Sequence, residues 1–325
     1  MKAGVVVIGR NEGRHLNQCL HSLIKEKEVD CMVYVDSGST DNSLEIADSF
    51  KISIVELDSI IPYSAARARN AGLAYLLQAK PDIPFVQFVD GDCEISPGWL
   101  ALAERELEIQ SDLAVVCGTL RERFPNLSVY HQLCAIEWNQ PSGEIEFSGG
   151  IAMMRVTALQ QVGGFNPTLI AGEEPELCYR LRQQEWKIIR LQSDMAWHDA
   201  QMTHFTQWWK RSIRSGYAYA QVFWLHKDKP KSLWEKENLS NWFWGLLMPL
   251  LTIISIKPTY GYSLGGLLFV YMLLAYKIHK YMQQRNFSSR ESMIYALFCV
   301  LGKFPNMFGQ SSFLINQLLE KFKFI

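Results

Sequence analysis

The chain has 325 residues, enough for one large domain or two average ones with a substantial core. Lys plus Arg (32) nearly balance Asp plus Glu (33), so no net field recruits nucleic acid, and nucleic acid is not expected as a partner. Seven cysteines without a Cys-x-x-Cys pair argue against a disulfide framework and a structural zinc site, and fit a reducing compartment.

In chain order, the first ten residues meet charge too soon for a signal peptide, and residues 4–8 read as a buried strand followed by the loop Gly9-Arg10-Asn11-Glu12-Gly13. Leu16, Leu20, Leu23 and Ile24 recur at helical spacing. A second buried strand, 32–35, ends in Asp36-Ser37-Gly38-Ser39-Thr40-Asp41-Asn42-Ser43, a loop made entirely of turn and cap residues, and a helix begins near Leu44. Residues 52–55 form a third strand, 63–77 a helix carrying Arg67, Arg69 and Asn70, and 85–89 a fourth strand. Strands alternating with helices give βαβ units and a mostly parallel sheet with helices on both faces. The loops holding Glu12, Asp36 and Asp92 then share one edge, where open α/β sheets bind ligands.

The fourth strand stops at Asp90-Gly91-Asp92. Two acids one residue apart repel unless a cation neutralises them, and Mg²⁺ commonly uses one or two carboxylates plus substrate phosphates. Taken alone, the triplet is equally consistent with a polar turn. The loops lack Gly-x-Gly-x-x-Gly and the Walker pattern, so neither a dinucleotide site nor a P-loop is indicated. Further on, 149–154 reads as a strand with glycines where a ligand or backbone comes close, and Gly172-Glu173-Glu174-Pro175-Glu176-Leu177 sets three acids at a helix start, where the dipole favours them.

Val7-Ile8-Gly9-Arg10-Asn11-Glu12, Val35-Asp36-Ser37-Gly38-Ser39-Thr40-Asp41, Ala68-Arg69-Asn70-Ala71-Gly72, Asp90-Gly91-Asp92, Val162-Gly163-Gly164-Phe165 and the Glu173-Glu174 segment occur in the order seen in family 2 glycosyltransferases of the GT-A fold, which residues 1–225 resemble. The resemblance implies an inverting transfer from a nucleotide-diphospho-sugar, a UDP-sugar in the first instance, to a hydroxyl of a lipid-linked or other envelope polysaccharide acceptor. It implies that Asp36 contacts the base, Asn11 and Glu12 the nucleoside, and Arg69 the nucleotide side of the pocket, with Asp90 and Gly150 at the donor sugar. It implies Mg²⁺ or Mn²⁺ on Asp92 with Asp90, with His198 as a further ligand or a diphosphate contact, and a catalytic base at Glu174, with Glu173 as the alternative. The family's usual residue at the Glu174 position is aspartate. Two rivals remain at this point: a nucleotidyltransferase, which would need a basic Gly-rich loop after the first strand, and a non-catalytic membrane scaffold on a degenerate sugar-binding domain.

Gln207-Trp208-Trp209-Lys210-Arg211-Ser212-Ile213-Arg214 is cationic and aromatic, resembling but departing from the Gln-x-x-Arg-Trp motif of processive synthases. It fits either diphosphate or lipid-linked acceptor binding, or an amphipathic helix packing its tryptophans. Residues 226–325 form a helical region with an apolar hairpin at 242–276, whose two uncharged runs are separated by Lys257-Pro258-Thr259. Each run is short for a spanning helix, although tilt or local thinning relaxes the requirement. Lys227, Lys229, Lys231 and Lys236 precede the pair, and Lys277, Lys280 and Arg285 follow it. This charge pattern gives an inner-membrane attachment with both ends and the catalytic domain cytoplasmic. A buried hairpin in a soluble domain or dimer interface is the alternative. A third apolar stretch covers 293–301.

Overall fold

The computed structural model describes residues 3–229 and 232–322. Met1, Lys2 and Lys231, on which the reading of the first strand and of the lysine flank draws, lie outside the described residues. The chain forms two compact units, one of residues up to Phe124 with Glu137–Ala200, the other of Pro125–Ile136 with the residues from Gln201 onward.

In the first unit, β1 (Ala3–Gly9), α1 (Arg14–Leu23), β2 (Val29–Asp36), α2 (Ser43–Ser49), β3 (Ser53–Glu56), α3 (Ala65–Ala79) and β4 (Phe85–Asp90) alternate as the apolar runs predict. β5 (Cys93–Ile95), α4 (Trp99–Ile109) and β6 (Leu113–Glu122) follow. The chain then passes through α5 (Val129–Trp138), which up to Ile136 belongs to the second unit, and continues in the first with β7 (Gly143–Glu144), β8 (Ala152–Arg155), α6 (Val156–Val162), α7 (Glu173–Gln183) and β9 (Lys187–His198). The nine strands make one sheet in the order β3-β2-β1-β4-β8-β6-β9-β5, with β7 on β9. The β3-β2-β1-β4 half is parallel, as βαβ connections require. Beyond it the sheet is mixed: β8 runs antiparallel to both β4 and β6, while β6 and β9 are parallel.

Register positions the site. Gly9 pairs with Asp36, and Ile8 with Asp90, so the ends of three neighbouring parallel strands lie level at one edge. The strand expected from Gly149 starts instead at Ala152. Gly149 has φ +96°, a left-handed conformation that a ladder strand cannot use, and residues 148–151 form a loop facing that edge.

In the second unit, α8 (Phe205–His226) packs closely on α13 (Lys303–Phe322): a side chain at Gly216 would overlap the Asn306 carbonyl, and one at Gly309 the Ile213 carbonyl. α9 (Glu235–Trp242) continues through a π-turn, Phe243–Leu247, into α10 (Met248–Ser255), and a turn at Lys257–Gly261 leads to α11 (Tyr262–Gln284). α11 has 23 residues, longer than its uncharged run, because nothing between Lys277 and Gln284 breaks the helix. α12 (Ser289–Leu301) opens with a capping box of Ser288 and Glu291, and takes in the third apolar stretch. The tryptophan-rich segment is the first half of α8, with Trp208 buried against Phe298 of α12. α11 is the one described helix long and apolar enough to cross a membrane, and little of it is covered within the fold.

The Ala68-Arg69-Asn70-Ala71-Gly72 motif owes its last residue to packing. A side chain at Gly72 would overlap Val6 and meet Val35 at 3.0 Å, so glycine lets α3 lie against β1 and β2. Gly72→Ala should therefore cost about 1–3 kcal/mol in chemical denaturation, the usual penalty of overpacking a dense core. An unchanged midpoint would mean that α3 shifts freely, and that the position of Arg69 is not set this way.

Candidate active site

The β1 and β2 loops are bound to each other before any ligand enters. Asn11, at φ +59°, donates its N–H to Ser39 Oγ at 2.9 Å and accepts from the Thr40 N–H at 2.7 Å. The Glu12 and Gly13 N–H groups both donate to Ser43 Oγ. Asp36 is buried at the turn: its Oδ2 accepts from the Gly38 and Ser39 N–H groups at 2.8 and 2.7 Å, and its Oδ1 accepts from the Tyr34 and Ser39 hydroxyls. Its carboxylate thus organises the loop, whatever else it touches.

Arg69 is the hub of the edge. Only 3% of its side chain is exposed; Nη2 donates to Asp90 Oδ1 at 2.8 Å and Nη1 to Glu173 Oε1 at 2.7 Å, while the guanidinium lies 5.6 Å from the Phe165 ring centre. Burial alone would disfavour the cation, but Asp90 and Glu173 outweigh it and raise the pKa above the usual arginine value. Gly150 lies directly behind this pair, because a Cβ there would come within 2.8 Å of Arg69 Nη2 and 3.0 Å of Asp90 Oδ2. Asn70, the next residue, clamps the Gly164-Phe165 turn: its amide donates to the Phe165 carbonyl at 2.7 Å and accepts from the Phe165 N–H at 2.9 Å.

Asp92 faces away from Arg69. Its Oδ2 lies 2.9 Å from His198 Nε2, and the Cys93 thiol contacts its Oδ1 at 3.4 Å. Burial raises the Asp92 pKa, but His198 more than offsets this and the net shift is downward; the same contact, against burial, raises that of His198. Asp90 is pushed up by loss of hydration, which Arg69 opposes and Asp92 reinforces. Glu12, in the adjoining loop, is raised to about 7 by burial and then by Asp92.

Asp90, Asp92, Glu12 and Glu173 thus converge on one permanent cation and one imidazole, a shortage of positive charge that a divalent cation would fill. The donors suit it. The Asp92 and His198 atoms are separated by about the spacing of adjacent ligands around an ion with ~2.1 Å bonds. A carboxylate with an imidazole suits Mn²⁺, and among the described residues His198 Nδ1 is buried with no hydrogen-bond partner to compete for the ring's orientation. The ligand atoms of Asp92, Cys93 and His198 all lie within 4.8 Å of one another. Burial drives the Cys93 thiol well above its usual pKa, so it acts as a donor to Asp92 and not as a thiolate ligand. Asp90, expected beside Asp92 on the ion, is turned to Arg69.

Glu174 is buried at the start of α7. Its Oε1 accepts from the Ser148 N–H at 2.6 Å, from Ser148 Oγ at 2.9 Å and from the Cys178 thiol at 3.1 Å. Glu176, the third acid, is held by Arg180, whose other amino groups donate to the Val162 and Gly164 carbonyls. The 148–151 loop forms one wall of a pocket of about 500 Å³ that also includes Asp90, Trp138 and His198. The structure thus brings together Glu12, Arg69, Asp90, Asp92, Gly150, Glu173 and His198, and keeps Asn11 and Asp36 in the neighbouring turn. Ser148, and Trp138 edge-on to His198 at 4.8 Å, escape the sequence reading because neither belongs to a motif.

Residues 4–163 match the model of the family described as Glycosyl transferase family 2. A search of curated proteins returns no match. Among solved structures, the mannosyltransferase PcManGT from Pyrobaculum calidifontis, solved with GDP-Man and Mn²⁺, is similar at TM-score 0.58 and 14% identity, over 93% of this chain and 85% of that one. S. aureus TarS 1-349 is similar at TM-score 0.52 and 15% identity, over 97% and 92%.

If Asp92 and His198 hold a cation, Asp92→Ala and His198→Ala should each weaken Mn²⁺ binding by more than about tenfold in calorimetry. Wild-type affinity in both variants would remove the metal site from this edge.

Proposed function

We propose that this chain, whose residues 4–163 match the Glycosyl transferase family 2 model on a GT-A fold, is an inverting, metal-dependent glycosyltransferase. In this reading it moves a sugar from a nucleotide-diphospho-sugar to a hydroxyl of a lipid-linked or other envelope glycan at the cytoplasmic face of a membrane. The observation that carries the reading is the level edge where Glu12, Asp90 and Asp92 meet His198 and a buried Arg69. A UDP-sugar is the first donor to test, and GDP-mannose, the ligand of the Pyrobaculum neighbour, the second.

Asp92 and His198, with Asp90 alongside, would hold Mn²⁺ or Mg²⁺. A bound ion supplies charge neutralisation for a leaving diphosphate. Asn11 and Asp36 hold the two loops that receive the nucleoside. Arg69 keeps Asp90 and Glu173 at fixed positions, so that the donor edge and the start of α7 keep a constant separation. The acceptor hydroxyl loses its proton to a carboxylate as its oxygen attacks the anomeric carbon from the side opposite the diphosphate, and the sugar–phosphate bond breaks with inversion.

Glu174 suits the base better than Glu173 does. Its Oε1 is fixed by three donors while no described group donates to Oε2, so one oxygen anchors the side chain and the other can take a proton. Glu173 is already committed to Arg69.

The membrane part of the reading rests on α10 and α11. Leu250, Leu251, Ile253 and Ile254 on the first, and Leu264, Leu268, Phe269, Met272 and Leu273 on the second, are exposed, a larger apolar surface than soluble monomers carry without a partner. At 1.5 Å per residue α11 is about 35 Å long, enough for a ~30 Å hydrocarbon core, whereas the 243–255 arm reaches only about 20 Å. The arms are too unequal for both to cross, so α11 spans with tilt or the pair lies in the interface.

Two experiments test these parts. Glu174→Gln should retain donor affinity while transfer falls by roughly 10²–10⁴-fold, the contribution of a positioned base; joint collapse of affinity and rate would make Glu174 a structural residue, and no change would move the base to Glu173 or elsewhere. Leu268→Glu combined with Phe269→Glu, both exposed, should release full-length protein from membranes without lowering its melting temperature. Wild-type protein that stays soluble and monomeric without detergent would remove the membrane from the reading.

A further inference from the structure

Arg190, on β9, lines the same pocket as Ser148, Gly150, Trp138 and His198, yet among the described residues it makes no ion pair. Its Nη1 reaches the Pro141 carbonyl at 3.5 Å, the long limit of a hydrogen bond, and its side chain contacts the Cys117 thiol. The contrast with Arg69 is direct, since that guanidinium has both amino groups on carboxylates. An arginine presents five donors in a planar fork matched to carboxylate or phosphate, and the half-buried Arg190 has no carboxylate on that fork among the described residues.

A second observation fixes the side of the pocket. Burial pushes the Cys117 thiol up to about 12, and the charges acting on it after burial are Arg190, which lowers it, and Glu174, which raises it. Arg190 shares its pocket with Ser148, whose N–H and hydroxyl hold Glu174, the carboxylate assigned to the acceptor hydroxyl, and it stands eight residues along β9 from His198.

The geometry points to Arg190 as a specificity-determining residue that selects an anionic acceptor, one carrying a carboxylate or a phosphate close to the hydroxyl that receives the sugar. This rests on the glycosyl-transfer reading and names the class of acceptor within it. Trp138 and Phe147 supply the apolar walls against which a sugar ring packs, and Arg190 supplies the charge those walls lack.

Calorimetry on full-length protein compares glucuronate with glucose and glycerol 3-phosphate with glycerol. The wild type should bind at least one charged probe tenfold or more tightly than its neutral twin; a preference confined to glucuronate identifies a carboxylate, and one confined to glycerol 3-phosphate a phosphate. Arg190→Gln should abolish the preference, and Arg190→Lys, which keeps a point charge without the fork, should retain part of it. Melting temperature and nucleotide-sugar affinity report whether each variant is folded; should Arg190→Gln fail to fold, a severalfold loss of preference in Arg190→Lys decides. Equal affinity for charged and neutral probes in the wild type, or a preference that survives in the variants, overturns the proposal. Failure of the glycosyl-transfer reading would show separately, as absence of metal-dependent nucleoside diphosphate release from every donor, which the binding comparison does not require.

Discussion

A guanidinium taken out of water must be matched by carboxylates, and Arg69 meets that requirement with one acid from the end of β4 and one from the start of α7. Those two elements are far apart in the chain, so the ion pairs hold the edge of the parallel half-sheet against the helix that carries Glu174. Much of the surrounding sequence follows from this. Gly72 lets α3 approach the sheet, Gly150 leaves room behind the pair, and Asn70 ties Phe165 beneath the guanidinium. Removing either carboxylate would leave Arg69 half-matched in a buried place, so the network is costly to break at any single point.

The same network explains why Asp90 and Asp92 behave differently although only Gly91 separates them. Asp90 spends its charge on Arg69, and Asp92 on His198. Asp90 ends β4, whereas Gly91 and Asp92 turn away from the strand, so the alternation of the strand does not carry on to Asp92 and the two acids divide the cationic partners instead of sharing one. Glu12 receives neither, and burial first, with the nearby Asp92 charge reinforcing it, keeps its proton on up to about pH 7. An added divalent cation would draw that proton off.

The parallel half of the fold was legible because strands buried on both faces read as unbroken apolar runs, as in Val5-Val6-Val7-Ile8 and Phe85-Val86-Gln87-Phe88-Val89. The other half was not. β5 and β7 have three and two residues, too few to show a period, and β9 is bulged between Cys117 and Thr119 of its partner, which breaks its alternation. β6 carries an apolar run, Ala114-Val115-Val116-Cys117, that a strand search would accept, but no motif follows it to draw attention. At the site, motifs marked the charged residues and missed what they touch. Arg69 and Glu173 are 104 positions apart, and Ser148 and Glu174 26 apart, so their pairing is a property of the fold and leaves no trace in local spacing.

The start of α7 shows how partners separate three acids that look alike in sequence. All gain from the helix dipole, which therefore cannot distinguish them. Glu176 is one turn from Arg180 and is bound by it, a pairing that helical spacing alone predicts. Glu173 faces α3 and meets a guanidinium that cannot lose its proton, so its charge is committed. Glu174 meets only neutral donors, a backbone N–H, a hydroxyl and a thiol, all on one oxygen. Neutral donors orient a carboxylate without committing it to an ion pair. Of the three, Glu174 is thus the acid whose hydrogen bonds come only from neutral groups, and glutamate's extra methylene over aspartate sets how far its second oxygen reaches.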